Sequence, residues 1–265
     1  MENIALYNDE FSWRRMLSVG YMYRDSIRIH IPLTIAISVL SSCLILFAGS
    51  YEAKKTLLIL GNSIMGLALY FNPLVFARHD DSLMRQLPVK PIEKWTFYML
   101  YSLVFIPFII QGIWYGSSAI FSFFGKGISI EDMFEMGMKM SGSTIGDCDY
   151  LSPGSILFIG TIQSAFYVLI MLYIVLKGGS HKVLKAILCY VIVILITGLV
   201  SGIAGFVIAV KDAFDNPDMA KEDLASSIID QLMPLMYALS GVYLIASAIL
   251  ARKSYNLLAK GQVKN

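Results

Sequence analysis

The chain has 265 residues, 57% of them hydrophobic and only 15% charged, whereas a soluble globular domain is about half apolar and about a quarter charged. That surplus of apolar side chains excludes an ordinary soluble fold, and the net charge of +2 points to no nucleic-acid partner. The apolar residues fall in six blocks, 31–49, 57–77, 97–120, 155–176, 186–210 and 233–251, each close to the roughly 20 residues that cross about 30 Å of hydrocarbon. None alternates apolar with polar residues as barrel strands do, so the expected fold class is all-α: a polytopic membrane protein with six transmembrane helices.

Residues 1–30 form an N-terminal tail in which Trp13, Met16 and Leu17 stand at helical spacing beside Arg14, Arg15, Arg24 and Arg28. This mixture predicts a helix lying in the membrane interface, its cationic side chains turned toward anionic lipid. The first apolar run begins only after this tail and has no small-residue cleavage site behind a short apolar region, so it is expected to stay as an anchor.

After the second span comes the most structured loop, running from Arg78 to Trp95. Asp80, Asp81 and Ser82 can cap a short helix carrying Leu83, Met84 and Leu87, which Pro88 ends; Pro91 then opens the third span, with Trp95 at its interface. Two other loops, 121–154 and 211–232, are long and acidic, and the second holds room for a short helix after Asn216-Pro217. Residues 252–265 form a C-terminal tail.

Orientation follows from the basic residues. Arg14, Arg15, Arg24 and Arg28, then Arg78, Arg85, Lys90 and Lys94, then Lys177, Lys182 and Lys185, and finally Arg252, Lys253, Lys260 and Lys264 all lie on one side of an alternating topology. Only Lys54, Lys55, Lys126, Lys139, Lys211 and Lys221 lie on the other. The positive-inside rule therefore places both ends in the cytoplasm. Cys43 and Cys189 fall in spans and Cys148 alone in an outward loop, so no disulfide is expected within the chain.

Within these boundaries no span contains Asp, Glu, Lys or Arg, which argues against proton-coupled transport, voltage sensing and most intramembrane hydrolysis. His30, His79 and His181 sit in separate segments without ligand spacing, and neither a phosphate-binding loop nor a hydrolase motif occurs, so no catalytic residue, metal or bound cofactor is expected. The polar groups inside spans are Asn62, Asn72, Gln111 and Gln163. Asn62, Gln111 and Gln163 lie about 8 to 14 Å below the outer surface by helix rise and form a candidate polar pathway, although such amides serve equally to hydrogen-bond one helix to another. Gly112 with Gly116, and Gly198 with Gly202, are spaced for close helix packing within the chain or between two copies. Pro107, Pro234 and Asn72-Pro73 are candidate kinks.

The layout of an interfacial N-terminal helix, six spans with both ends inside and a short helix in the first cytoplasmic loop resembles the permease subunit of type-2 ABC exporters. The stretch from Gln86 to Lys94, QLPVKPIEK, looks like the L-P-x-x-x-x-E-K loop of permeases in this group. The resemblance implies an elbow helix over Phe11 to Ile29 and a coupling segment over Asp80 to Lys94, with Asp80, Asp81, Leu83, Met84, Arg85, Leu87, Pro88, Glu93 and Lys94 meeting a separate ABC ATPase subunit. It also implies ATP and Mg on that partner, a homodimer or a heterodimer with a second permease, and residence in a prokaryotic cytoplasmic (inner) membrane. The expected cargo is amphipathic, lipid-like or peptide, since Met-rich and aromatic surfaces suit it. The residues leave open a non-transporting immunity, sensory or accessory subunit that binds a peptide or protein through its acidic outer loops.

Overall fold

The computed structural model describes residues 11–44, 51–78, 89–123, 153–178, 181–215 and 221–263, and among these there is no strand. The described α-helices are α1 (Trp13–Met22), α2 (Arg24–Leu44), α3 (Tyr51–Phe71), α4 (Pro91–Met99), α5 (Ile106–Phe123), α6 (Pro153–Lys177), α7 (Lys182–Asp215) and α8 (Lys221–Val263). A 3₁₀ segment, Asn72–Arg78, continues α3, and a π-helical segment, Leu100–Phe105, joins α4 to α5. Among the described residues six helical stretches are long and apolar enough to cross a membrane, so the chain is a multi-pass membrane protein.

The helices reach beyond the apolar blocks at most ends. The helix that carries the first apolar block begins at Arg24, ahead of residue 31, because the aliphatic stems of Arg24 and Arg28 can run along an apolar helix while their charged heads stay at the boundary. Tyr23, a turn residue with φ −91° and ψ 9°, separates that span from α1, so the helix expected over residues 11–29 is shorter and ends at Met22. The regular α-helix of the second span ends at Phe71, because Pro73 has no N–H for an i−4 bond; the chain tightens into the 3₁₀ segment instead. Most of the 211–232 loop is helical, shared between α7 and α8, and the tail expected from residue 252 continues α8 to Val263. Ser254 in that extension is fully buried and Leu258 packs against the main core, so tertiary contacts hold it helical.

α6 is the central helix: it packs against α8 most extensively, and also against α7, α3 and the 3₁₀ segment. α2 lies against α5 and α3, and α1 against α4. α7 is peripheral. Its most apolar stretch contains no buried residue, while Leu195, Leu199, Ile203 and Phe206 are all exposed, as a helix facing acyl chains requires.

Several buried side chains carry hydroxyl groups. Thr34, Ser38, Ser41 and Ser42 on α2, and Ser240, Ser247 and Ser254 on α8, are buried, the last three spaced by seven residues. Small hydroxyl side chains let helices approach closely and return their donors to their own helix: Ser38 Oγ donates to the Thr34 carbonyl at 2.9 Å and Ser42 Oγ to the Ser38 carbonyl at 2.9 Å. α3 also passes close to α2 and α5 at Gly61, where a Cβ would stand 3.1 Å from the Trp114 ring and 3.3 Å from the Ser41 carbonyl oxygen.

Aromatic rings lock the ends of the spans. Phe76 of the 3₁₀ segment lies edge-on to Tyr23, Tyr98 and Tyr101 at centroid separations of 4.9, 4.7 and 5.3 Å, and the Tyr23 and Tyr98 hydroxyls hydrogen-bond at 3.0 Å. A second cluster joins Tyr70 of α3, Tyr167 of α6 and Tyr190 of α7 at 5.0 to 5.6 Å. Trp95 Nε1–H donates to the Ala251 carbonyl of α8 at 3.1 Å. Replacing Trp95 with Phe is expected to cost about 1 kcal/mol in thermal unfolding of the detergent-solubilised protein, since the ring volume is largely kept and one hydrogen bond lost.

Candidate functional site

The third span opens with Pro91 at the first helical position, where its missing N–H costs nothing, and with Glu93 in the first turn, where the helix dipole favours a carboxylate. Glu93 reaches back to accept the Lys90 backbone N–H at 3.0 Å, as a residue at the third helical position of a capping box does. What that local rule does not explain is its burial. Glu93 is 0% exposed, covered by α1.

Arg15 of α1 supplies the counter-charge. Its Nε donates to both carboxylate oxygens, at 3.0 and 3.1 Å, and its Nη2 donates to Oε1 at 2.8 Å, while the Ser12 backbone N–H donates to the same oxygen at 2.8 Å. Ser12 caps α1 and so fixes where Arg15 emerges. Four groups from two segments almost 80 residues apart in sequence thus converge on one carboxylate. The fork of Arg and the planar carboxylate match bidentately, so the clasp sets the orientation of α1 on α4 as well as its contact. Lys94, next in sequence, is also buried, at 3% exposure.

Of the expected coupling residues, Asp80, Asp81, Leu83, Met84, Arg85, Leu87 and Pro88 lie outside the described residues, whereas Glu93 and Lys94 are placed at this clasp. Sequence alone does not pair Glu93 with Arg15 or Ser12. The available signal was a glutamate at a helix start and a chain whose N-terminal segment carries several arginines, which names the chemistry but not the pairing.

The expected polar pathway is divided. Asn62 of α3 and Gln111 of α5 line one cavity of about 560 Å³, together with Thr161 and Ser164 of α6 and the rings of Tyr70, Trp114 and Tyr115. That volume is in the range of small-molecule sites, and its mixed lining of amides, hydroxyls and aromatic rings suits an amphipathic ligand. Gln163 does not line it; its Nε2 donates to the Tyr167 hydroxyl at 3.3 Å on the same helix. Nothing in the sequence sets Thr161 and Ser164 apart from the other hydroxyls in the spans. Asn72, the remaining amide, is buried and donates from Nδ2 to the Leu69 carbonyl at 2.8 Å and the Ser102 carbonyl at 3.0 Å, tying the 3₁₀ segment to the π-helical segment.

A Cβ at Gly112, Gly116, Gly198 or Gly202 would meet nothing within 4 Å, so none of the four is a point of close approach between described helices of this chain. Pro107 follows the π-helical segment by two residues, and the irregular turn falls where proline withdraws a backbone donor. Pro234 sits inside α8, which continues through it. His30 Nδ1 hydrogen-bonds the Tyr101 hydroxyl at 2.8 Å, and no group of three metal-ligating side chains occurs among the described residues. Cys43 and Cys189 are free thiols. In comparisons with known proteins, no family model, no curated protein and no solved structure matches the chain.

Proposed function

We propose that the chain is the membrane-spanning permease subunit of an ATP-driven exporter of the type-2 ABC kind, working with a separate ATPase that holds ATP and Mg. Both ends and the Asp80–Lys94 loop face the cytoplasm in this reading, and α1 lies in the membrane interface as an elbow helix. The supporting observation is the clasp at Glu93. A force applied to the loop enters α4 through Val89, Lys90 and Pro91, and the Arg15–Glu93 pair carries the same displacement into α1, so the loop cannot move without both helices. A rigid, charge-locked junction of this kind suits a lever driven from outside the membrane.

The cavity between α3, α5 and α6 is the proposed cargo contact, with Asn62 and Gln111 supplying the polar contacts. Two permease chains, alike or different, complete the path.

Affinity purification of the full chain from its host membrane tests this reading, with ATP hydrolysis and vesicle export measured on what is recovered. An ATPase subunit should accompany the chain. Glu93→Gln, matched for expression, should lower ATP-dependent export at least tenfold while the ATPase remains bound. Recovery without any ATPase, or export unchanged in that variant, would sink the proposal and favour an accessory subunit.

A further inference from the structure

A second depression lies apart from the cavity, on the outer face of the junction between α1, α2 and the start of the third span. It is a groove of about 610 Å³ whose apolar walls include Leu17 and Gly20 of α1, Ile27 and Ile31 of α2, and Phe97 and Phe105 of the third span. Leu17 and Phe105 are 55% and 47% exposed, so the groove opens to the surroundings of the bundle rather than to its interior. From Arg24 to Ile31 it follows α2 for about 10 Å along the span, the direction in which an acyl chain lies.

Its charge is confined to one end. Arg24 and Arg28, one helical turn apart on the same face of α2, both line the groove, and no hydrogen bond or ion pair engages either side chain among the described residues. Asp25 is not part of the lining, and Glu93, the nearest acidic group in α4, is taken up by Arg15. Both arginines stand in the first turns of a span, which places them at headgroup depth whichever way the span is oriented. Two guanidinium groups present donors in the fork geometry that phosphate oxygens accept, above an apolar slot running into the hydrocarbon.

We propose that this groove is a binding site for one anionic phospholipid of the surrounding bilayer, its phosphate held by Arg24 and Arg28 and one acyl chain lying between α1 and Phe105. The site is independent of the transport reading. Because α1 forms one wall, a bound lipid bridges α1 to the first and third spans and holds α1 in place alongside the Arg15–Glu93 clasp.

Native mass spectrometry of the full chain in mild detergent, offered equal amounts of phosphatidylglycerol and phosphatidylcholine with identical chains, tests the site. The wild type should retain one phosphatidylglycerol about tenfold in preference. Arg24→Gln with Arg28→Gln should bring the two lipids within twofold of each other, and Arg24→Lys with Arg28→Lys should fall between, showing that charge without the fork is insufficient. The charge-matched control Arg252→Gln with Lys253→Gln, at exposed positions on α8, should behave as wild type. Millimolar glycerol phosphate should not displace the lipid. Equal preference in wild type and the Arg24/Arg28 glutamine variant, an equal loss in the control, or displacement by glycerol phosphate would each overturn the proposal.

Discussion

Replacing Arg15 with Ala is expected to destabilise the detergent-solubilised protein by about 3 kcal/mol, the largest effect of any single change at the α1–α4 contact. The reason is the asymmetry of the pair. Glu93 is 0% exposed and cannot turn to water, so without Arg15 its charge is held only by the backbone N–H groups of Ser12 and Lys90. Arg15, whose side chain is 26% exposed, can reach solvent when its partner is neutralised. Glu93→Gln should therefore cost less, about 1 to 2 kcal/mol, because a neutral amide of the same volume still accepts one of the two backbone donors. The double variant should cost less than the two single changes together by at least about 1 kcal/mol. Chemical denaturation monitored by Trp fluorescence gives all three values; an Arg15→Ala variant within about 0.5 kcal/mol of wild type would show that the clasp contributes nothing.

Ser254→Leu is expected to destabilise the single chain by about 2 kcal/mol, while Gly198→Leu leaves it within about 0.5 kcal/mol of wild type. Ser254 is fully buried on α8, and a side chain two heavy atoms larger than a hydroxymethyl must displace its neighbours. Gly198 has open space where the new side chain would go. From spacing alone the opposite ranking would be drawn, since a glycine pair four residues apart is the familiar signature of close helix packing. Thermal unfolding of monomeric protein ranks the two; if Gly198→Leu also lowers the proportion of two-chain species in cross-linking, α7 packs against another copy rather than against its own chain. A Ser254→Leu variant as stable as wild type would remove the serine seam of α8 as a structural element.

Helix class and the number of spans were legible in the sequence because both depend on sums over about 20 residues, and the energetic demand of hydrocarbon on an unpaired peptide group leaves no alternative to a helix. Ends were harder to place, for reasons visible at particular residues. Arg24 and Arg28 look like tail residues by charge, yet both belong to the first long apolar helix; Ser254 looks like part of a basic tail, yet packing buries it. Asn62 and Gln111 could be chosen by composition as candidate cavity residues, but only the arrangement of α3, α5 and α6 brings them to one cavity and leaves Gln163 on another face.

The sequence by itself therefore determined the solvent of this protein, its helical class and the two chemical types present at its most organised junction, a carboxylate at a helix start and arginines near the N-terminus. Which arginine meets Glu93, which small residues lie between helices and which remain against lipid were decided by tertiary structure alone. The physical reason is that hydrophobicity is a property each residue contributes independently, whereas an ion pair between positions 15 and 93 or a cavity shared by three helices exists only once non-local contacts have been chosen.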